Sequence, residues 1–359
     1  MDKIVRKKTK EVKIGNLFVG GENNIAVQSM TKTRTSNVEA TAAQTIKLQD
    51  AGCDIIRVAI PDEASADAVS EIKSRIKIPL VADIHFDYRL AIKCLQSGAD
   101  KVRINPGNIG GYEKAAEVLK AAKKYGRAVR IGVNSGSISK DLLEKYGSPT
   151  PEALYEEAVR YVEFAESEKF TDLVISIKSS DVYSTYTSNM LFSKNCDYPL
   201  HLGVTEAGTY IDGIIKSSAG VGALLLNGIG DTIRISLSDD PIEEVRAGRN
   251  LLNLLGIQKT GIEVISCPTC GRCQTNVISY AKEVREKTKN INKYAKVAVM
   301  GCAVNGPGEA READIGLAFG KNNAVMFEKG EIVKTVKENE AVEILLERLN
   351  DILNEQGSI

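Results

Sequence analysis

The sequence lacks an excess of charge of either sign. It has 359 residues, with 47 Lys and Arg against 47 Asp and Glu, and a sequence pI near 6.8. General nucleic-acid binders and proteins that adhere to acidic membranes carry a basic excess, so this balance argues against both classes. The chain also lacks a run of about 18 apolar residues, so we expect no transmembrane helix.

Features of a secreted protein are scarce as well. Residues 1–10 are charged and contain no apolar stretch, so no secretory signal is expected. Seven cysteines in a chain of this length do not resemble the dense disulfide framework of small secreted domains. We therefore expect a cytoplasmic protein.

Short apolar segments alternate with longer amphipathic ones along most of the chain. The predicted strands are Ile25–Gln28, Ile55–Ala59, Leu80–Ile84, Lys101–Ile104, Val129–Val133, Asp172–Ile177, Leu200–Val204 and Thr232–Leu237. Eight such alternations within about 250 residues predict a TIM (β/α)8 barrel. A doubly wound sheet is the alternative, but it favours a glycine-rich turn after the first strand, and residues 28–33 contain no glycine.

The barrel pattern ends near residues 255–261. Beyond it we predict a strand, a cysteine loop, the helix Val277–Thr288, the strand Val297–Met300, a second cysteine loop, a hairpin and a final helix. The sequence therefore predicts two domains, a barrel over 1–256 and a small α+β domain over 257–359.

Two short segments of the second domain carry the strongest chemical signal. Cys267 and Cys270 lie in the sequence SCPTCG, and Cys302 and Glu309 lie in MGCAVNGPGE. Iron–sulfur clusters and structural zinc sites both use thiolate pairs with this spacing and a more distant third thiolate. If Glu309 were the fourth ligand of a cluster, one iron would be weakly held and could meet a substrate.

The spacing leaves the ligand set open, because Cys273 extends the first segment to Cys-x2-Cys-x2-Cys. One set is Cys267, Cys270 and Cys302 with Glu309, and the other replaces Glu309 by Cys273. A redox dithiol at Cys267 and Cys270 is the alternative without metal. The remaining cysteines are predicted to be packing or loop thiols: Cys53, Cys94 and Cys196.

Polar side chains gather where the predicted barrel strands end, which is where barrel enzymes place their chemistry. These residues are Arg57, Asp83, His85, Arg103, Asn105, Arg130, Asn134, Lys178, His201, Thr205, Glu206, Arg234 and Ser236. Five of them are cations and only two are acids. Because buried unpaired cations are costly, we predict a ligand with two phosphate groups.

Other interpretations remain at this point. Single arginines could point outward or meet acids on the helices, and each histidine could be a hydrogen-bonded core residue. Lys178 follows a strand and could form a Schiff base, which would make the protein an aldolase-like barrel with a structural zinc domain. A non-enzymatic iron–sulfur carrier is a further alternative, although the converging cations argue against it.

Longer strings of sequence resemble a known family. Residues 266–272 and 302–310 are similar to the cluster domain of the 4-hydroxy-3-methylbut-2-enyl diphosphate synthase family in its bacterial two-domain form. Further similar strings occur in the barrel at 28–31, 81–86, 102–108, 131–136 and 202–208. The similarity spans nearly the whole chain, and no additional domain lies between the barrel and the second domain.

The resemblance implies a reaction and its partners. The substrate would be 2-C-methyl-D-erythritol 2,4-cyclodiphosphate, whose ring is opened and dehydroxylated with two electrons in the non-mevalonate isoprenoid pathway. The family implies a [4Fe-4S] cluster held by Cys267, Cys270, Cys302 and Glu309, and electrons from reduced flavodoxin or ferredoxin. It also implies a homodimer in which the cluster domain of one chain caps the barrel of its partner.

The resemblance also implies roles for the barrel residues. Glu206 would be the acid–base residue beside the reacting carbons. The residues expected to bind substrate are Arg57, Asp83, His85, Arg103, Asn105, Arg130, Asn134, Lys178, His201, Thr205, Arg234 and Ser236, with Asn305 reaching it from the cluster domain.

Overall fold

The computed structural model describes residues 4–273, 275–302, 308 and 310–355. The chain divides into two compact units, Met1–Ile257 and Gln258–Ile359. Each unit has its own buried hydrophobic core.

A hairpin precedes the barrel and closes its amino-terminal end. Strands β1 (Val12–Ile14) and β2 (Leu17–Val19) pair antiparallel, and Gly15 supplies the positive φ of 62° that the tight turn requires. The hairpin side chains share a buried cluster with the first inward-facing residues of the barrel strands. Its members are Val12, Ile14, Val19, Ala26, Ile55, Val81, Ala128 and Val174. This apolar layer is the floor of the barrel.

Eight parallel strands form the barrel wall. They are β3 (Ala26–Met30), β4 (Ile55–Ile60), β5 (Leu80–Ile84), β6 (Lys101–Ile104), β7 (Ala128–Asn134), β8 (Leu173–Lys178), β9 (His201–Leu202) and β10 (Thr232–Ile233). Their order is β8-β7-β6-β5-β4-β3-β10-β9, and a parallel bridge from Ile175 to Leu200 joins the two ends. The predicted TIM barrel is therefore confirmed.

Nine α-helices accompany these strands among the described residues of the first unit. They are α1 (Val38–Asp50), α2 (Glu63–Arg75), α3 (Tyr88–Gln96), α4 (Tyr112–Tyr125), α5 (Lys140–Tyr146), α6 (Pro151–Ser167), α7 (Val182–Asn195), α8 (Tyr210–Leu226) and α9 (Pro241–Leu254). Side-chain caps fix several starts, as where Asp62 accepts from Ser65 N and Asp181 from Ser184 N. No helix in the described part of the chain is both long and apolar enough to cross a bilayer.

The last two barrel strands are shorter than predicted. The ladders of β9 and β10 end at Leu202 and Ile233, whereas the sequence predicted strands to Val204 and Leu237. The two chains still run side by side beyond the ladder, since Arg234 N donates to Leu202 O at 3.0 Å. The prediction and the structure therefore differ only in where these two strands end, which is where the ladder hydrogen bonds stop and the loops begin.

The second unit is a five-stranded mixed sheet with helices. Its elements are β11 (Ile262–Ser266), α10 (Val277–Thr288), β12 (Ala295–Met300), β13 (Ile315–Phe319), β14 (Asn323–Glu328), β15 (Glu331–Lys337) and α11 (Ala341–Glu355). Strands β11, β12 and β13 are parallel, while β13, β14 and β15 form an antiparallel meander. Both helices share a core with the sheet through residues such as Val284, Phe319 and Leu345. The predicted small α+β domain is confirmed.

Candidate active site

The strand register explains why charged side chains meet inside the barrel. Asp83 on β5 pairs with Arg103 on β6, and Arg103 pairs with Arg130 on β7. Paired residues on neighbouring strands point to the same side of a sheet. These three side chains therefore all point into the barrel, from three neighbouring strands.

Asp83 is the centre of an ionic network. Its carboxylate lies 3.4 Å from Arg103 Nη1, 3.7 Å from Arg57 Nε and 3.1 Å from His85 Nε2. Burial alone would raise the pKa of Asp83, but Arg57, the His85 hydrogen bond and Arg103 together hold that pKa well below its ordinary value. The carboxylate therefore stays ionised and holds three basic side chains in place.

The barrel interior contains more hydrogen-bond donors than acceptors. Five buried side-chain nitrogens there have no partner, namely Gln28 Nε2, Lys101 Nζ, Asn105 Nδ2, Arg130 Nε and His201 Nε2. The amide and guanidinium nitrogens can only donate a hydrogen bond, whereas an uncharged lysine amine or an imidazole nitrogen can also accept one. Buried donors without acceptors are costly, so this interior is suited to a ligand or water that supplies oxygen atoms.

A methionine takes the place of an oxygen acceptor between two arginines. Arg57 directs Nε and Nη2 at Met30 Sδ, at 3.1 and 2.9 Å, and Arg234 Nη1 lies 3.7 Å from the same sulfur. Thioether sulfur is a weak acceptor. The contact leaves Arg57 available for a stronger acceptor such as a phosphate oxygen.

One of the predicted excess cations has its own acid. Arg234 donates from Nε and Nη2 to the two oxygens of Glu244 at 3.0 Å each, and Ser29 Oγ donates to the same carboxylate. Glu244 lies on α9 and was not among the predicted acids. The excess of five cations over Asp83 and Glu206 is therefore smaller by one, because Arg234 meets a helix acid, as the sequence analysis allowed for single arginines.

Two glycines create the space that the long basic side chains occupy. A Cβ on Gly203 would lie 2.5 Å from Lys178 Nζ and 2.8 Å from Arg234 O, and one on Gly132 would lie 2.9 Å from Arg103 Nε. Burial, then the charge of Arg130, lowers the pKa of Lys178 well below its ordinary value. Both glycines stand in strings that the family resemblance covers, but their packing role was not predicted.

The other predicted barrel residues differ in burial and in their place along the strands. His201 is fully buried and its Nδ1 lies 2.7 Å from Thr232 Oγ1. Asn105 is buried and accepts a hydrogen bond from Gly107 N through Oδ1. Glu206 has an exposed side chain and a positive φ of 52°. The positions that stand half-buried at strand or loop ends are Asn134, Thr205 and Ser236.

In the second unit, two cysteine loops follow neighbouring parallel strands. Ser266, the last residue of β11, pairs with Val299 of β12, so Cys267 and Cys302 leave the sheet at one edge. The backbone N–H of Gly301 donates to Cys267 Sγ at 3.2 Å. A Cβ on Gly301 would lie 2.5 Å from Cys273 Sγ and 3.3 Å from Cys267 Sγ, so both sulfurs flank the glycine that precedes Cys302.

The remaining cysteines differ in exposure. Cys270 is exposed, and hydrogen bonds from the backbone and side chain of Arg272 lower the pKa of its thiol. Burial raises the pKa of Cys53 and of Cys94 to about 12, which suits thiols that only pack. Asn305 and Glu309 lie outside the described residues. Within the described ranges, no three His, Cys, Asp or Glu side chains are grouped closely enough to hold a metal ion.

Fold and site together define a TIM-barrel protein with an anion-receptive interior and a second domain that presents thiols at a sheet edge. Two family models match the chain. Residues 9–249 match the GcpE TIM-barrel domain, and residues 263–351 match the GcpE protein C-terminal domain. The chain belongs to the GcpE family.

Curated relatives extend over the same length. The chain is 56% identical over 352 residues to the 4-hydroxy-3-methylbut-2-en-1-yl diphosphate synthase (flavodoxin) of Caldanaerobacter subterraneus subsp. tengcongensis, covering 98% of this chain and 99% of that protein. It is 55% identical over 347 residues to the protein of the same name from Clostridium perfringens, covering 97% and 99%. The predicted family, enzyme class and function are confirmed, and the aldolase-like alternative is not supported.

Solved structures show the same barrel in a more distant protein. A dihydropteroate synthase from Stenotrophomonas maltophilia superposes with a TM-score of 0.50 at 14% identity, covering 69% of this chain and 97% of that one. This likeness concerns the fold alone.

Proposed function

We propose that this chain binds 2-C-methyl-D-erythritol 2,4-cyclodiphosphate in its barrel and converts it to (E)-4-hydroxy-3-methylbut-2-enyl diphosphate. The conversion consumes two electrons and two protons: the carbon–oxygen bond that closes the ring breaks, and one hydroxyl oxygen leaves as water. Reduced flavodoxin is the proposed electron donor, in keeping with the names of the relatives.

The shortage of acceptors inside the barrel is the observation that carries this proposal. Arg57, Arg103, Arg130 and Lys178 converge on an interior where Asp83 is shared among several of them. The unpartnered donors listed above lie among the same side chains. A cyclic diphosphate carries two negative charges and several phosphoryl oxygens, so it would supply both the missing charge and the missing acceptors.

Each cation has a proposed part in holding the phosphates. Arg57 would exchange the sulfur of Met30 for a phosphate oxygen, which is a stronger acceptor. Arg103 is oriented by Asp83 and Arg130 is oriented by Gln28, whose Oε1 lies 3.4 Å from Arg130 Nη1. The amides Asn105 and Asn134, with Ser236, Thr205, His85 and His201, would direct the carbon chain of the substrate.

Glu206 is the proposed acid–base residue. It directly follows Thr205 at the carboxyl end of the barrel, and its left-handed backbone and exposed side chain leave the carboxyl group in contact with solvent. A carboxyl at this position can exchange protons with water between turnovers. It would give a proton to the departing hydroxyl oxygen, which then leaves as water.

The thiols of the second domain are chemically suited to an iron–sulfur cluster. Soft thiolates are the preferred ligands of such clusters, and the N–H of Gly301 donates to Cys267 sulfur as backbone amides do around cluster thiolates. We propose that Cys267, Cys270 and Cys302, with Glu309, hold a [4Fe-4S] cluster. Asn305, four residues before Glu309 in the sequence, is proposed to face the substrate. When bound, the cluster supplies the electrons and a Lewis acid for the departing oxygen.

Cys273 is a second candidate for the fourth ligand. Its sulfur flanks Gly301 together with that of Cys267 and donates to Thr275 O at 3.1 Å. A thiolate at this place would hold an iron more firmly than a carboxylate does. We favour Glu309 because an exchangeable oxygen ligand leaves one iron open to the substrate.

The first experiment is an analysis of metal and sulfide in protein purified without oxygen. The proposal predicts about four iron and four acid-labile sulfide per chain and no zinc. One zinc per chain without sulfide would contradict the cluster and would make the second domain a structural clip. A chain that contains no metal and cannot be reconstituted with iron and sulfide would also overturn the proposal and would favour the dithiol.

A further inference from the structure

Lys101 is a buried lysine that the sequence analysis did not select. It is the first residue of β6, is fully buried, and pairs with Val81 and Ala128 of the barrel floor. Because it stands two residues before Arg103 on the same strand, its side chain points to the same side, into the barrel. The Lys101 side chain therefore extends from the apolar floor toward the cations inside the barrel, among them Arg130 and Arg57.

The amine of Lys101 has no hydrogen-bond partner. The ionisable groups that the surrounding strands turn toward the interior are Arg57, Asp83, Arg103, Arg130, Lys178, His201 and Arg234, with Glu244 of α9 behind Arg234. The two carboxylates in this set already bond arginines, Asp83 with Arg57 and Arg103, and Glu244 with Arg234. No acid in this set remains to compensate a charge on Lys101.

A buried ammonium without a counter-ion is strongly disfavoured. Burial lowers the pKa of Lys101 well below its ordinary value, and repulsion from Arg130 and Arg57 lowers it further. The Lys101 amine is therefore expected to be uncharged as long as no anion is bound in the barrel. An anion that enters the same interior favours the charged form of the amine, because its two negative charges offset the repulsion among the cations.

We propose that Lys101 contributes to substrate binding through a charge that forms on binding, its amine taking up a proton from solvent when the cyclic diphosphate enters the barrel. The step is a simple protonation of R–NH2 to R–NH3+. It rests on the proposed function for the identity of the ligand. The new charge lies beneath Arg130, on the side of the cations away from the barrel mouth, and strengthens the attraction for the phosphates.

Isothermal titration calorimetry measures this proton uptake directly. Cluster-loaded protein is titrated with the cyclic diphosphate under anaerobic conditions and without reductant, so that binding occurs and turnover does not. The titration is repeated at one near-neutral pH and ionic strength in buffers of different ionisation enthalpy, and the slope gives the protons bound per ligand. Both phosphorus atoms of the ligand carry two bridging oxygens, so the ligand itself does not titrate near neutral pH.

The wild-type protein is expected to take up protons when the cyclic diphosphate binds. K101M is expected to lose the part of this uptake that is due to Lys101 and to bind the ligand about tenfold more weakly. K93M is the matched control, because it removes a lysine of α3 that pairs with Asp67, outside the residues proposed to bind substrate, and keeps Lys101, so its uptake should persist. If K101M does not fold, K101R replaces it, since an arginine is already charged and gains no proton.

Three results would overturn the inference. A slope of zero for the wild-type protein would show that no proton is taken up. An unchanged slope in K101M would show that another group takes it up. Absence of any binding would remove the proposed substrate and the inference together, whereas binding without uptake removes the inference alone.

Discussion

At the scale of single residues, Asp83 determines how much positive charge is available to a ligand. It binds Arg57, Arg103 and His85 at once, so each receives only part of one negative charge. Arg234 differs, because Glu244 alone accepts hydrogen bonds from both its Nε and its Nη2. We therefore expect the shared cations to respond to a phosphate more strongly than Arg234 does.

Arg103→Ala tests this expectation. Loss of a buried guanidinium that contacts phosphate should weaken binding of the cyclic diphosphate by about 2–4 kcal/mol. Calorimetry on the cluster-loaded protein without reductant measures the affinity. Arg75→Ala is the matched control, since Arg75 pairs with Glu39 and Glu71 at the end of α2. Equal affinities of Arg103→Ala and the wild type would rule out Arg103 as a phosphate anchor.

The pH dependence of stability tests the state of Lys101 in the ligand-free protein. Its folded pKa is lowered by burial, so between that pKa and about 10.5 the unfolded chain binds more protons and stability rises with pH. Lys101→Met lacks this contribution. The free energy of unfolding of the variant should therefore exceed that of the wild type most at low pH. This difference should become smaller as the pH approaches 10.5. Denaturant unfolding at several pH values measures this; a constant difference would contradict the prediction.

The alternation of inward-facing and outward-facing residues along a strand was sufficient to predict some of the residues inside the barrel but not others. Asp83, Arg103 and Arg130 follow from strand alternation and from the rule that barrel chemistry lies at strand ends. Lys101 stands at the start of its strand, where the same rule predicts no function. Glu244 lies on a helix, and only the folded structure shows that this helix returns to Arg234.

At the scale of elements, the carboxyl edge of the second sheet brings distant cysteines together. Because β11 and β12 are parallel neighbours, their following loops begin side by side, and Cys267 N bonds Val299 O at 3.4 Å. The sequence predicts both strands from their apolar residues. It does not predict which sulfurs converge, since that depends on the loop that carries Cys273 back to Gly301.

Paired serine variants separate the two ligand sets. Cys302→Ser should abolish a stable four-iron cluster, while Cys273→Ser should retain it if Glu309 is the fourth ligand. Iron, acid-labile sulfide and the absorption spectrum of the reconstituted variants measure the outcome. Loss of the cluster in Cys273→Ser would favour the four-cysteine set, and full iron in Cys302→Ser would remove that residue from either set.

The close approach of the chain segments that follow β9 and β10, at Gly203 and Arg234, is a second property of elements. A methyl group there would meet Lys178 Nζ at 2.5 Å and the Arg234 carbonyl oxygen at 2.8 Å, and the backbone atom cannot easily move. Gly203→Ala should cost about 1–3 kcal/mol of unfolding free energy and weaken substrate binding.

Gly136→Ala is the control for this variant, because a Cβ on Gly136 would meet no atom within 4 Å. Its unfolding free energy should stay within about 0.5 kcal/mol of the wild type. Chemical denaturation compares the two variants. Equal stability of Gly203→Ala and Gly136→Ala would show that the strands separate without cost.

The predicted strand ends were less accurate than the predicted strands. Ile55–Ala59 and Leu80–Ile84 are largely apolar and buried, each with a single charged residue, and such short segments identify central parallel strands. The ends of β9 and β10 lie among Gly203, Arg234 and Ser236, where side chains of the site replace the apolar pattern. Sequence alone does not show where the ladder stops at such positions.

At the scale of the whole molecule, the chain spans both family domains and nearly the full length of the curated relatives. We propose a homodimer in which the second domain of one chain caps the barrel of its partner. Each complete site would then combine residues from two chains.

Co-expression of two inactive variants tests this arrangement. Arg103→Ala damages the barrel, and Cys302→Ser damages the cluster domain. In a mixed dimer with sites shared between chains, one site combines an intact barrel with an intact cluster domain. Roughly a quarter of wild-type activity should then return at equal expression, because half of the dimers are mixed and half of their sites are complete. Sites formed within single chains would restore no activity.

The most direct test of the account is turnover of the cyclic diphosphate. Cluster-loaded protein is incubated without oxygen with 2-C-methyl-D-erythritol 2,4-cyclodiphosphate and reduced flavodoxin, and the products are separated and identified by mass spectrometry. The account predicts the linear allylic diphosphate, formed in proportion to the electrons consumed. Recovery of the unchanged cyclic diphosphate from protein with a full complement of iron and sulfide, and with active flavodoxin, would contradict it.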